Sequence, residues 1–328
     1  MKNRAIAAVL CLGMLLAGCA GKQPKQVDMQ KYQGGSQGSL VDALALPEDA
    51  EMVYDYRIQD DALYSGPMVD GAAQGYGTLV FDDGTVYEGE FLNDLTHGKG
   101  RMSWPDGDVY EGDFLEGERT GYGILFWNDG DVSEGNFVNG DMLGRGKLTF
   151  ADGTVYEGDF VDSWFQGQGR MTWPDGEWYE GDFLKGERTG YGSFHWNDGD
   201  AYEGEFLDGQ LQGQGKMTFA DGTVYEGGFV DSLFQGQGRM TWADGDWYEG
   251  DFKEGQRTGK GSYHWAGGDV YEGDFVDGYF HGYGVLNFQE GGKYEGQWEY
   301  DLRHGQGKEI LADGTVLKGK WVNDEYQG

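Results

Sequence analysis

The sequence predicts an all-β fold, an elongated antiparallel β-meander solenoid of tandem 23-residue β-hairpin repeats. Three observations predict it. Tyrosine recurs every 23 residues, at Tyr64, Tyr87 and Tyr110 and again from Tyr156 to Tyr294, with Ser133 and Leu317 on the two remaining grid points. A Gly-x-Gly pair keeps the same register from Gly75/Gly77 to Gly305/Gly307, with no insertion or deletion. Within each unit, apolar and polar residues alternate with the two-residue period of a half-buried strand. Composition agrees. The 62 glycines carry no Gly-X-Y period, which excludes collagen, and 11 Trp, 21 Tyr and 18 Phe exclude a disordered linker.

Residues 1–18 read as a leader. Lys2 and Arg4 precede an uncharged apolar run from Ala5 to Leu16, shorter than the roughly 20 residues of a membrane span. The run ends in Leu16-Ala17-Gly18-Cys19. This resembles the bacterial lipoprotein signal, which is cut before the cysteine. The resemblance implies that Cys19 becomes an acylated N-terminus, and that Cys11 leaves with the signal. Stable anchoring then rests on several acyl chains, since one alone binds marginally. Ala20, where inner-membrane retention usually shows Asp, implies attachment to the outer membrane. A plain secretory signal or an N-terminal membrane helix would leave Cys19 incidental.

Residues 19–52 are rich in Gln, Gly and Ser with no sustained period, and read as a flexible tether. At about 5–6 Å × √n, such a segment separates anchor from folded part by roughly 30 Å.

The repeat ribbon occupies residues 53–328. A typical unit is YEGEFLNDLTHGKGRMSWPDGDV, residues 87–109. This resembles the MORN (membrane occupation and recognition nexus) family, whose units read Y-x-G-x-[FW]-x(6)-G-x-G. The resemblance implies a β-hairpin ribbon that serves as a protein-binding or membrane-associated module. Segments 81–131, 150–200 and 219–269 also match at a spacing of 69, which indicates a duplicated block of three units.

Numbering the repeat's Tyr as position 1 gives two one-faced strands. Positions 1, 3 and 5 are Tyr, Gly and Phe, while 2 and 4 are acidic. Positions 12, 14, 16 and 18 are Gly, Gly, an apolar residue and Trp or Phe. Pairing positions that sum to 19 sets Phe91 beside Gly100 and Tyr87 beside Trp104, so that glycines make room for rings. The link Trp104-Pro105-Asp106-Gly107-Asp108 suits a three-residue hairpin, a type I turn closed by a glycine bulge. At about 4.8 Å per strand, eleven to twelve units would extend about 110 Å. YSGPM at the start and Leu317-Lys318-Gly319-Lys320-Trp321 at the end read as caps. Ser133, the missing Tyr, is an expected weak joint.

The search for chemistry returns periodic residues rather than a unique cluster. His97, His281 and His304 share position 11, and His195 and His264 share position 17. None has a Cys or His at metal-ligand spacing. The Gly-x-Gly pairs lack the third glycine and helix of a dinucleotide loop. No cofactor and no enzymatic activity are therefore expected. Asp-rich turns such as Asp106/Asp108 and Asp244/Asp246 do not match the twelve-residue calcium loop. The carboxylate face reads as a solvated face, with Arg101, Lys147, Arg170, Lys216 and Arg239 at position 15 set beside position 4. Trp178 and Trp247 at position 23, on that acidic face, and Trp164 in a loop are the candidate partner-binding residues.

The net charge of −34 disfavours nucleic acid and anionic lipid headgroups. The expectation is a lipid-anchored, non-enzymatic scaffold of the bacterial envelope that binds protein partners along its ribbon, a basic partner being the functional reading of the carboxylate face. Glycan or peptidoglycan binding through the exposed Trp, and phospholipid-headgroup binding, are the alternatives.

Overall fold

The computed structural model describes Leu46, residues 50–58 and residues 61–328. The expected leader, the expected acylation at Cys19 and most of the expected tether fall outside the described residues. Among those described, there are 26 strands and no helix, and every observed pairing is antiparallel. Two compact units are distinguished. One runs to Pro174 and includes Phe183–Gly186; the other holds Asp175–Asp182 and Glu187–Gly328. In the first, chain-neighbour strands pair in succession from Glu51–Ile58 to Trp164–Thr172. In the second the same succession runs from Glu187–His195 to Glu325–Tyr326.

Two kinds of turn make the meander. At positions 7 and 8 the chain reverses through two residues of positive φ, as at Asn93 (51°) and Asp94 (66°). Both central residues are left-handed, the type I′ geometry whose twist matches the flanking strands. Position 8 is accordingly Gly, Asp or Ser throughout. At the opposite edge the three-residue turn takes the predicted form. The Gly107 N–H donates to Trp104 O at 3.0 Å, the Trp104 N–H donates to Asp108 O at 3.0 Å, and Gly107 has φ +106°. Successive turns stack, which explains the small or flat residue at position 19. A Cβ on Gly199 would lie 3.3 Å from Ala220 Cβ, and one on Gly84 would lie 3.3 Å from Pro105 Cγ.

The strand register differs from the sum-of-19 expectation. Tyr87 faces Met102 and Gly89 faces Gly100, after which Glu90 faces His97 and Phe91 faces Thr96. The expected neighbours, Phe91 with Gly100 and Tyr87 with Trp104, are not opposite each other. The I′ turn needs a tighter reversal, and two extra residues, Gly98 and Lys99, are taken up in a bulge on the second strand. Gly98 has φ +55°. The bulge recurs at position 12, so the first glycine of each Gly-x-Gly answers to backbone conformation.

Glycines do make room for rings, but the ring is the unit's own tyrosine. In the unit at Tyr225, a Cβ on Gly238 would lie 2.5 Å from the Tyr225 Oη and 2.6 Å from its Cε2. A Cβ on the facing Gly227 would lie 2.6 Å from Tyr225 Oη and from Gly238 Cα. The phenol thus lies flat over the Gly-Gly pair, and its hydroxyl donates to Gly228 O at 3.0 Å. Ten such tyrosines are fully buried. Eight of them, Tyr87, Tyr110, Tyr156, Tyr202, Tyr225, Tyr248, Tyr271 and Tyr294, meet the position-5 ring of their own unit and of the next edge-on, as Tyr225 does with Phe229 at 5.3 Å and Phe252 at 4.9 Å. Each pair contributes about 0.5–1.5 kcal/mol beyond its buried area.

Position 10 completes the core and was not singled out in the sequence. Phe165, Phe234 and Phe280 stack on the tyrosine of their units at 3.8, 3.8 and 3.9 Å. Arg119, Arg188, Arg257 and Arg303 instead hold a guanidinium 5.5 to 5.7 Å from that ring. Arg257 lies among Trp242, Tyr248, Tyr263 and Phe275, and donates to Gly278 O at 2.6 Å. Burial lowers its pKa from the usual arginine value. At the Ser133 joint, Met142 is the position-10 residue, and its methyl occupies the space a ring fills elsewhere, close to Gly135 and Gly146. Ser133 is buried and accepts a hydrogen bond from Trp127 Nε1 at 3.0 Å. The joint is thereby packed, though without a tyrosine hydroxyl.

Candidate binding surface

The face opposite the tyrosines carries the predicted partner-binding residues and most of the charge. Its position-4 carboxylates hold the bulge. The Tyr122 N–H donates to Asp113 Oδ2 at 3.1 Å, and that oxygen would be 2.8 Å from a Cβ on Gly121. The same bond recurs at Tyr191–Asp182 (3.0 Å), Lys260–Asp251 (3.1 Å) and Tyr283–Asp274 (2.9 Å). The position-15 cations lie beside position 2, not position 4, because of the shifted register. Arg101 pairs with Glu111 at 3.1 Å and Lys216 with Glu226 at 3.2 Å. These pairs are exposed and contribute little.

The turn carboxylates are likewise committed to backbone. Asp106 Oδ1 accepts from the Asp108 N–H at 3.2 Å within its own loop. Asp108 Oδ1 accepts from the Asn128 N–H of the next turn at 2.8 Å, a bond repeated at Asp131, Asp200, Asp246 and Asp269. The N–H of the residue two places on holds the Asp83 and Asp313 carboxyls below the usual carboxylate range. Among the described residues, no group of three or more His, Cys, Asp or Glu is placed to hold a metal ion. The Asp repetition therefore reads as a row of inter-turn latches.

Trp247 and Trp178 lie on the carboxylate face, as the alternation places them, and both are half-buried. Trp247 is stacked on His264 at 3.5 Å with 9° between planes, and the Arg239 guanidinium lies 4.1 Å from its centre. His264 and Arg239 come from the strands on either side of Trp247, so both indole faces are occupied. Burial holds the His264 imidazole below its usual range, against the nearby carboxylate of Glu272. Trp178 is stacked on His195 in the same way at 3.9 Å and 13°. Trp164, expected in a loop, instead opens the strand Trp164–Thr172 and remains 40% exposed.

Trp164 belongs to a larger feature that sequence reasoning missed. On this face, at the I′ edge, position 6 is aliphatic in unit after unit: Leu92, Leu115, Val138, Val161 and Leu184 in the first compact unit. Leu115 is 47% and Leu184 51% exposed, and Leu95 and Trp164 at position 9 widen the stripe. The signal was legible, since Leu and Val stand where the alternation assigns a solvated face.

The pattern that defines the MORN repeat matches eleven successive units, from 64–86 to 294–316. The chain belongs to the MORN repeat family. The MORN unit that follows Tyr110 is matched over 134–155, one residue short, at Ser133. No curated protein matches the chain. Among solved structures, the TCP10c domain of Drosophila melanogaster Sas-4 is similar at 15% identity, over 48% of this chain and 93% of that one, with a TM-score of 0.29. The TCP10 domain of Danio rerio CPAP is similar at 14% identity, over 66% of this chain and 91% of that one, with a TM-score of 0.26.

Proposed function

We propose that this MORN chain is a non-enzymatic, lipid-anchored scaffold of the bacterial envelope that docks a basic protein partner along its ribbon. The observation that carries this reading is the row of aliphatic side chains from Leu92 to Leu184, four of the five exposed and Val138 half-buried, because large apolar side chains recurring at one edge of a polar face suit an interaction site. Exposed acids stand within it, Glu118 opposite Leu115 and Asp141 opposite Val138, and beside it in the turns at Glu116 and Asp162, which favours a cationic partner. The recurring carboxylates and glycines have backbone roles, which supports a binding module over a catalyst. Sugar binding by stacking needs a free indole face, and Trp247 lies between His264 and Arg239, so the glycan reading is not adopted for that residue. The net charge of −34 opposes anionic headgroups. The anchor rests on the Leu16-Ala17-Gly18-Cys19 box, and the outer membrane on Ala20.

The test uses a photo-crosslinking amino acid at Leu115 or Val161, compared with one at Glu157, in whole cells. A discrete adduct formed from the stripe, and lost when neighbouring stripe residues become lysine, supports docking. Adducts of equal yield from all three sites, or none, overturn it. Mass spectrometry of the mature N-terminus tests acylation, and Cys19→Ala should release the protein from membranes. Retention of the Cys19→Ala form would refute the anchor.

A further inference from the structure

Resting on that reading of the stripe, we infer that its occupant is a polyproline II segment of the partner, with an apolar residue at every third position and Lys or Arg between. The argument is one of pitch. At the I′ edge, each turn hydrogen-bonds the strand of the preceding unit. The Gly117 N–H donates to Thr96 O at 3.0 Å, Gly140 to Arg119 O at 3.1 Å, Ser163 to Met142 O at 3.1 Å and Gly186 to Phe165 O at 3.0 Å. Strand pairing therefore holds out to the edge where the stripe lies. Equivalent position-6 side chains are two strand spacings apart, about 9.6 Å.

A polyproline II helix rises about 9.3 Å per three-residue turn and presents every third side chain on one side. From Leu92 to Leu184 there are four intervals, over which the two repeats drift apart by only about 1.2 Å. An α-helix offers about 10.5 Å per seven residues and drifts by about 3.6 Å over the same span. An extended β segment covers about 10 Å in three residues, but successive side chains alternate faces, so every third one points away. Trp164 at the stripe's margin supplies the kind of flat ring that packs against such a helix. A polyproline II segment also leaves its backbone solvated, so it asks for no free sheet edge. The acids at Glu116, Glu118, Asp141 and Asp162 set the sign of its intervening residues.

The experiment measures fluorescence anisotropy of a labelled (Pro-Leu-Lys)5 peptide with the soluble Cys19→Ala chain at ~0.15 M salt. Two comparison peptides are (Pro-Leu-Glu)5 and a helical peptide with leucines at heptad spacing and the same lysine content. The first should bind at least tenfold more tightly than either. Leu115→Lys with Val161→Lys should weaken it at least tenfold, while Val80→Lys with Phe126→Lys, the same charge change at exposed sites off the stripe, should not. Circular dichroism verifies that both double variants remain folded. Equal or tighter binding of the helical peptide, no binding of (Pro-Leu-Lys)5, or indifference to the stripe substitutions overturns the inference. If stripe crosslinks form while the peptide fails, only the polyproline inference falls. If crosslinks also fail, the docking reading falls with it.

Discussion

Substituting Gly238 by alanine tests the packing on which the whole ribbon depends. The added Cβ would lie 2.5 Å from Tyr225 Oη, 2.6 Å from Cε2 and 2.7 Å from Cζ. The ring has no room to yield, because Phe234 is stacked on it at 3.8 Å and Phe229 and Phe252 meet it at 5.3 and 4.9 Å. Overpacking of this kind costs about 1–3 kcal/mol. Displacing the phenol also strands its buried hydroxyl, which now donates to Gly228 O at 3.0 Å, at about 1–3 kcal/mol more. The expected loss is about 2–6 kcal/mol. Repeat arrays need not unfold in one step, so urea unfolding should be paired with amide exchange at the strands Val224–Val230 and Leu233–Thr241. The control is Gly267→Ala, where nothing lies within 4 Å of the added carbon; it should change stability by less than about 0.5 kcal/mol. Tyr225→Leu in the Gly238→Ala background should recover part of the loss, with a coupling above about 1 kcal/mol. If Gly238→Ala behaves like the control, or the two substitutions are additive, the account of the second glycine is wrong.

Three other outcomes are expected. Arg257→Ala should lose about 2–4 kcal/mol in urea unfolding, through its carbonyl bond and the rings around it, whereas Arg257→Phe should stay within about 1 kcal/mol of the parent, since Phe234 and Phe280 fill the same position elsewhere. Ser133→Tyr alone should destabilise by about 1–3 kcal/mol because Met142 already holds the ring's space. Adding Met142→Thr, which recreates the pairing of Tyr87 with Thr96, should recover that stability in thermal melts. Alkaline titration gives the last test. Burial, with Asp94 adding to it, pushes the Tyr64 phenol up to about 12, and burial with Asp113 does the same at Tyr110. The folded chain favours the neutral phenol, so this stabilisation is complete below pH 10 and is lost as pH rises through about 12. Absorbance at 295 nm should therefore show the buried tyrosines ionising together with loss of the sheet. Ionisation of all tyrosines near pH 10 with the sheet intact would contradict their burial.

By itself, the sequence determined the period, the strand type, the turn at Trp104–Asp108 and which residues share a face. All of these are local: a 23-residue recurrence and a two-residue alternation are visible without knowing any neighbour. Register was not local. Sliding one strand by two residues leaves every side chain on its original face, so the alternation suits Tyr87 opposite Met102 as well as opposite Trp104. Only the I′ turn and the left-handed bulge at Gly98 choose between them. That choice decides that the tyrosine, rather than the phenylalanine, fills the glycine space, and that Arg101 lies near Glu111. Tertiary structure likewise decided what each carboxylate does. Asp113 and Asp108 look alike in sequence as acidic surface, yet one holds a bulge and the other latches the next turn. Such roles depend on which backbone N–H comes within about 3 Å, a distance set by folding rather than by residue type.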